Sequence, residues 1–206
     1  MARTRIALFA ALALATSSAF AIGFSNVIIK SPPLSDGSSF NTLGNSISFF
    51  APNAFILDGK AYNNAVMSSQ TFNIQYDYNA GPSVLAVGAN VNLSSAILGS
   101  GRVIFSEIII ELDSNGNEVA GIIGQMNYTF NPGGPMSWSG STGALTRSVN
   151  RIRAKKSFTL IAPDIAQQTD FAGLGTINQS VELVPEPATM LVLGLGLAAA
   201  ARRRKK

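Results

Sequence analysis

Residues 71–78 read T-F-N-I-Q-Y-D-Y, and no other stretch constrains the fold of this chain as much. Phe72, Ile74, Tyr76 and Tyr78 recur at every second position, with Asn73, Gln75 and Asp77 between them. Side chains alternate across a β-strand with a period of two, so the segment lays one apolar face on a core and turns a polar face outward. Residues 46–50, 54–57, 84–93, 102–112, 118–130, 155–162 and 175–183 also carry strand-like alternation or β-branched content. Between 102–112 and 118–130 stands Asp113-Ser114-Asn115-Gly116-Asn117, and Asn-Gly between two β-rich runs is the strongest short-range hairpin signal. No segment of the body keeps a helical period. The pattern predicts an all-β domain over residues 22–183, an antiparallel β-sandwich of jelly-roll type, with a β-barrel as the runner-up. Residues 31–39, 131–142 and 167–175 are expected as loops, and residues 182–187 as a short stalk.

The chain has no cysteine and no histidine. Disulfides, thiolate metal sites, Ser-His-Asp and Cys-His catalysis and the usual zinc sites are thereby excluded. The formal net charge of +4 is misleading, because seven of the fifteen basic residues lie within five residues of the two ends. From Ile22 to Val184 the chain carries eight basic and ten acidic residues. A mildly acidic body is no footprint for nucleic acid.

The remaining candidate chemistry is sparse. Glu107 and Glu111, four apart on one strand, would lie about 13 Å apart, too wide for a glycosidase pair; they read as solvated strand charges. Asp113, Asn115 and Asn117 alternate like calcium ligands, but the glycine comes one position early and Gly124 stands where the distant Glu of such a loop belongs. A hairpin turn is the main reading there and structural calcium the lesser one; no other cofactor is expected. Arg147, Arg151, Arg153, Lys155 and Lys156 are the basic cluster of the body. If extended, Arg151, Arg153 and Lys155 share one face, which either binds a polyanion or protects an edge strand by charge. Trp138, the sole tryptophan, lies in a Gly/Pro/Ser-rich stretch, where it either stacks on a sugar ring or packs under its own loop.

The two ends read as addresses. Arg3 and Arg5, an apolar run over residues 6–15, and Ala19-Phe20-Ala21 form the three parts of a secretory signal peptide over residues 1–21. Cleavage by signal peptidase, after passage through the Sec machinery, is expected between Ala21 and Ile22. At the other end, Val184-Pro185-Glu186-Pro187 precedes fourteen uncharged residues, 188–201, and a basic tail, 202–206. Two prolines bar a helix upstream and allow one to begin after them. Fourteen helical residues span about 21 Å, short of a bilayer core of roughly 30 Å, so snorkelling cations or local thinning must cover the difference. A single transmembrane helix over 188–201, its cations cytoplasmic, is the expectation.

Residues 184–206 resemble the PEP-CTERM sorting domain in the Val-Pro-Glu-Pro motif, the Gly/Leu/Ala-rich helix and the terminal Arg/Lys cluster, in that order. The resemblance implies export across a Gram-negative envelope and processing by an exosortase. It makes Val184, Pro185, Glu186 and Pro187 a recognition motif rather than a catalytic one. It also implies passage through the inner membrane toward the cell surface or extracellular matrix, often beside exopolysaccharide. A non-enzymatic surface or matrix protein is the expected function, and a carbohydrate (exopolysaccharide)-binding module the alternative.

Overall fold

The alternation at 71–78 belongs to a longer strand. The computed structural model describes residues 22–187, 190–191 and 194–195, the side chain of Ala120 excepted. Within it lie β1 (Gly23–Lys30), β2 (Ser39–Leu43), β3 (Ser46–Phe50), β4 (Phe55–Leu57), β5 (Lys60–Ala61), β6 (Ser69–Asn79), β7 (Val84–Leu98), β8 (Arg102–Leu112), β9 (Glu118–Phe130), β10 (Ser137–Ser141), β11 (Arg151–Ile161) and β12 (Phe171–Pro185). They form two sheets, ordered β1-β6-β11-β8-β9 and β10-β7-β12-β3-β2, with β4 paired to β12 and β5 to β4. The strand pairs are antiparallel, as the sequence predicts. From β5 onward the chain changes sheet at every connection except the β8–β9 hairpin.

Register aligns the inward side chains of the first sheet into rows. Phe72, Phe158, Phe105 and Tyr128 are direct partners across β6, β11, β8 and β9. The rings of Phe105 and Phe158 stack with centroids 5.0 Å apart; such pairs add about 0.5–1.5 kcal/mol beyond area burial. The next row is Ile74, Lys156, Glu107 and Met126. Facing it from the second sheet, Ile177, Gln179 and Val181 of β12 point into the same interior and are buried.

Several expectations are corrected. Residues 137–141 are the strand β10, paired with β7, not part of a loop. Its serines and glycine hide the strand, since backbone pairing needs no hydrophobic side chain. Residues 23–30 and 39–43 are strands that the alternation did not reveal. β12 begins at Phe171 and continues to Pro185, so residues 182–185 are paired with β7 rather than forming a stalk. β11 lies between β6 and β8 in the middle of its sheet, so its charges do not protect an edge. Glu107 is not a solvated charge: it shares the parity of Val103, Phe105 and Ile109 and is fully buried with them.

Pro187 opens a helix, and the Met190 N–H donates to the Glu186 carbonyl at 3.1 Å. A proline in the first helical turn forfeits no hydrogen bond there. Met190, Leu191, Gly194 and Leu195 are helical too. The signal segment 1–21, the rest of 188–201 and the tail 202–206 lie outside the described residues. Among the described residues no helix is long and apolar enough to cross a membrane.

Candidate functional site

The motif residues Val184 and Pro185 are the last two of β12, opposite Leu85 and Val84 of β7. Beyond Val181, whose N–H goes to the Asn45 carbonyl, β12 pairs with β7 alone among the described residues. A proline, which has no N–H to give, is tolerated at such an open strand end. Glu186 is tied at two points. Its N–H donates to the Ser83 carbonyl at 3.0 Å, and its Oε1 accepts from Asn150 Nδ2 at 3.0 Å. The same Nδ2 lies 3.0 Å from the Gly81 carbonyl and 2.9 Å from that of Val84. The recognition motif is therefore docked on the domain.

The expected signal-cleavage junction comes to the same place. Ala21 lies outside the described residues, but Ile22 is exposed and β1 begins one residue later, with Gly23 opposite Asn79. The Ile22 side chain lies against Gly81, so closely that a Cβ there would stand 3.0 Å from it. Both junctions thus flank the β6–β7 turn, at one pole of the sandwich. A cavity of about 270 Å³ opens beside them, lined by Asn79, Gly81, Pro82, Glu111, Asn150 and Arg151 among others.

Arg151, Arg153 and Lys155 do share an outward face of β11, as the alternation predicts, but acidic neighbours meet Arg153 and Lys155. Arg153 pairs with Asp77 through Nε at 2.6 Å and Nη2 at 2.8 Å, and with Glu118 at 3.1 Å. Lys155 Nζ is 2.7 Å from the same Glu118 oxygen. Hydrogen bonds from Lys155 and then Arg153 hold the Glu118 carboxyl below the usual range. Arg151 donates to the Ser114 carbonyl at 2.7 Å, and Arg147 pairs with Glu111 at 2.5 Å. Lys156, counted in the cluster, points to the opposite side and is buried.

Trp138 stacks on Tyr128 at 4.7 Å, nearly parallel, with Phe105 at 5.9 Å. Its ring also lies over Gly140, where a Cβ would fall inside van der Waals contact. The indole is packed between the edge strands β9 and β10 rather than under a loop. Asp113 caps the hairpin. Its Oδ1 accepts the N–H groups of Asn115 and Asn117 at 2.8 and 2.9 Å, and its Oδ2 accepts Asn117 Nδ2 at 3.1 Å. The Asn117 N–H and side chain depress its carboxyl. Gly116, with φ of 83°, takes the left-handed position the turn requires. Three donors on one carboxylate suit a turn; a calcium ion there would compete with them.

Two features escaped the sequence reading. On the outer face of the second sheet, Ser139, Asn92, Asn178, Ser48 and Asn41 are successive register partners across β10, β7, β12, β3 and β2. Ser141, Asn90, Ser180 and Ser46 form the neighbouring row. These ten-odd ångströms of amide and hydroxyl tiling on each side of β12 (strands about 4.8 Å apart) carry no charge in either row. Alternation of Asn and Ser in residues 90–94 and 178–180 was the available signal. The second feature is internal. Glu107, Lys156 and Gln179 meet at the centre of the core, where Glu107 Oε1 is 2.8 Å from Lys156 Nζ and 2.8 Å from Gln179 Nε2. The parity of β8 and β11 marks the first two as inward; nothing in sequence places the third across from them.

Residues 183–205 match the family model of the PEP-CTERM protein-sorting motif. The chain therefore ends in that motif, which implies an exported, exosortase-sorted protein. No curated protein matches the chain. Among solved structures it is similar to TmCBM61 in complex with beta-1,4-galactotriose, at 11% identity over 80% of this chain and 91% of that one, with a TM-score of 0.35. It is also similar to CBM28, a non-crystalline cellulose specific carbohydrate-binding module, at 13% identity over 71% and 80% of the two chains, TM-score 0.32. A family two carbohydrate esterase from Cellvibrio japonicus is similar at 10% identity over 80% and 36%, TM-score 0.28.

Proposed function

We propose that this chain is a non-enzymatic protein of the cell surface or extracellular matrix, routed there through Val184-Pro185-Glu186-Pro187. The observation that carries the reading is that Ile22 and Glu186, beside the two expected processing junctions, both lie against the β6–β7 turn. With Ile22 and Glu186 at one pole, a precursor held by a segment at each end stands on one membrane with the sandwich outward. A chain without His or Cys, whose best-shielded acid is sealed from solvent, supports a binding or structural role. The test is the intact mass of the natural protein from cells and from medium. A species running from Ile22 to the Pro185–Pro187 region supports the routing. A species that keeps residues 202–206 at the surface overturns it, as would wild-type processing of a Glu186→Ala, Pro187→Ala variant.

A second reading rests on the two uncharged Asn/Ser rows of the second sheet's outer face, bordered by Glu182, whose carboxylate accepts from Asn90 Nδ2 at 2.7 Å. Side-chain amides and hydroxyls offer paired donors and acceptors to sugar hydroxyls without selecting for charge. Through Asn92 and Asn178 that face would meet a neutral exopolysaccharide, which the paired cations of β11 suit less well. Affinity electrophoresis in gels containing the host polymer checks this. Retardation of wild type, lost in Asn92→Ala/Asn178→Ala, supports a carbohydrate-binding module; equal mobility with and without polymer leaves the structural role.

A further inference from the structure

The Lys156, Glu107 and Gln179 cluster is an unusual thing to place in an apolar interior. Lys156 and Glu107 have fully buried side chains, and Gln179 is 2% exposed. The aromatic row of Phe72, Phe158 and Phe105 lies on one side, and Tyr76, Ala154 and Ile109 on the other. Lys156 Nζ stands 5.6 Å from the Phe105 ring centroid and 5.9 Å from that of Tyr76. The ion pair at 2.8 Å is close, yet the lysine nitrogen is not aligned as a directed hydrogen-bond donor, and Glu107 Oε2 and Gln179 Oε1 have no hydrogen-bond partner. Burying an ion pair costs several kcal/mol per ion, recovered only when the remaining polar atoms are satisfied. As an end state this one is poorly satisfied, and it gathers an amine and an amide on one carboxylate oxygen.

One carboxylate oxygen touches both an amine and the nitrogen of a primary amide. We propose that Lys156 and Gln179 condense into an isopeptide bond that staples the two sheets together, with Glu107 as the catalytic acid and base. Proton transfer within the pair gives a neutral amine and a neutral carboxylic acid, the pair from which the reaction starts. Burial already draws the Lys156 ammonium toward its neutral form, against the opposing pull of Glu107. The Nζ lone pair attacks Gln179 Cδ. Glu107 takes a proton from Nζ and delivers one to Nε2. The Cδ–Nε2 bond breaks and ammonia leaves, so one C–N bond replaces another and no oxidant, metal or cofactor enters. In the product the isopeptide N–H can donate to one Glu107 oxygen, and the protonated other can donate to the carbonyl that was Gln179 Oε1. Both orphan oxygens then have partners, the Glu107 hydroxyl donating and the former Gln179 Oε1 accepting, and the buried charges are gone. The link would join β11 of the first sheet to β12 of the second, the strand that ends in the sorting motif.

The test is mass spectrometry of the full chain, denatured, followed by tryptic mapping. The expected wild-type protein is lighter than its sequence by one ammonia, trypsin fails to cut after Lys156, and a branched peptide joins the Lys156 and Gln179 segments. Glu107→Gln and Lys156→Met restore the full mass, and tryptophan fluorescence shows which of them has folded. A folded wild type at full mass, with separate Lys156 and Gln179 peptides, overturns the proposal without recourse to any variant. Loss of water instead of ammonia would place the bond between Lys156 and Glu107 and overturn it as well.

Discussion

Asn150 Nδ2 lies 3.0 Å from Glu186 Oε1 and 2.9 Å from the Val84 carbonyl oxygen, so a single side-chain amide ties the sorting motif to the strand beside it. Asn150→Ala removes that tie. A hydrogen bond of this kind contributes about 1 kcal/mol, roughly a fivefold change in the population of the frayed strand end. Hydrogen exchange at Glu186, whose N–H goes to Ser83, should accelerate by about that factor. In cells the tail should be removed faster if the docked motif must first peel away; an unchanged rate would mean that docking does not limit processing.

The Arg153–Asp77 pair joins direct cross-strand partners, and Asp77 is 5% exposed. Arg153→Met leaves that carboxylate buried with Asn26 as its remaining side-chain donor. The expected loss is on the order of 3 kcal/mol, the cost of stranding a buried charge. Urea unfolding measures it. Adding Asp77→Asn to the same chain should recover a large part, because the stranded charge is then gone.

Trp138 reports on its own packing, since it is the sole tryptophan. Gly140→Ala pushes a methyl group into the ring. The indole must then leave Tyr128, its emission should shift to the red, and stability should fall by about 1–3 kcal/mol, as overpacking does. Emission unchanged from wild type would show that β10 can yield instead.

Glu118 and Asp113 both have carboxyls held below their ordinary range. A depressed folded-state pKa stabilises the fold above the unfolded value, near pH 4, and that contribution is lost as pH falls through the folded value. Stability should therefore decline with acid below about pH 4. Glu118→Gln should flatten part of the decline, and added salt should do the same because Glu118 and Lys155 are partly exposed. A Glu118→Gln curve parallel to wild type through this range would show that the pairs on β11 do not contribute.

Much of the architecture was legible because it is local. The period of two in residues 71–78 gave the buried face of β6, Phe72 through Tyr78. Asn115-Gly116 gave the hairpin, whose flanking strands run from Arg102 to Leu112 and from Glu118 to Phe130. The strands that stayed hidden are those whose pairing carries them. β10 has one large side chain, and β2 is exposed throughout. Such segments join a sheet through backbone hydrogen bonds, to which sequence is nearly blind. Residues 182–185 misled for a related reason. Prolines and polar neighbours look like a linker, but an open strand end accepts a proline, and Ser83 and Asn150 hold the residue that follows.

By itself, the sequence determined the sorting motif at the C-terminal end, the all-β class and the inward face of the strands whose alternation is plain, β6 above all. Alternation does that, because the side-chain period of a strand is a property of its own backbone. Only the tertiary structure decided what the inward residues meet. Lys156 and Glu107 become partners because β11 and β8 pair in one register, and Gln179 reaches them because β12 lies across the sandwich from both. A shift of one residue in either register would send these side chains to the outside. Which strand faces which across a core is a long-range packing choice that no single segment encodes. The same choice spends the cations of β11 on Asp77 and Glu118 and brings Ile22 and Glu186 to one pole.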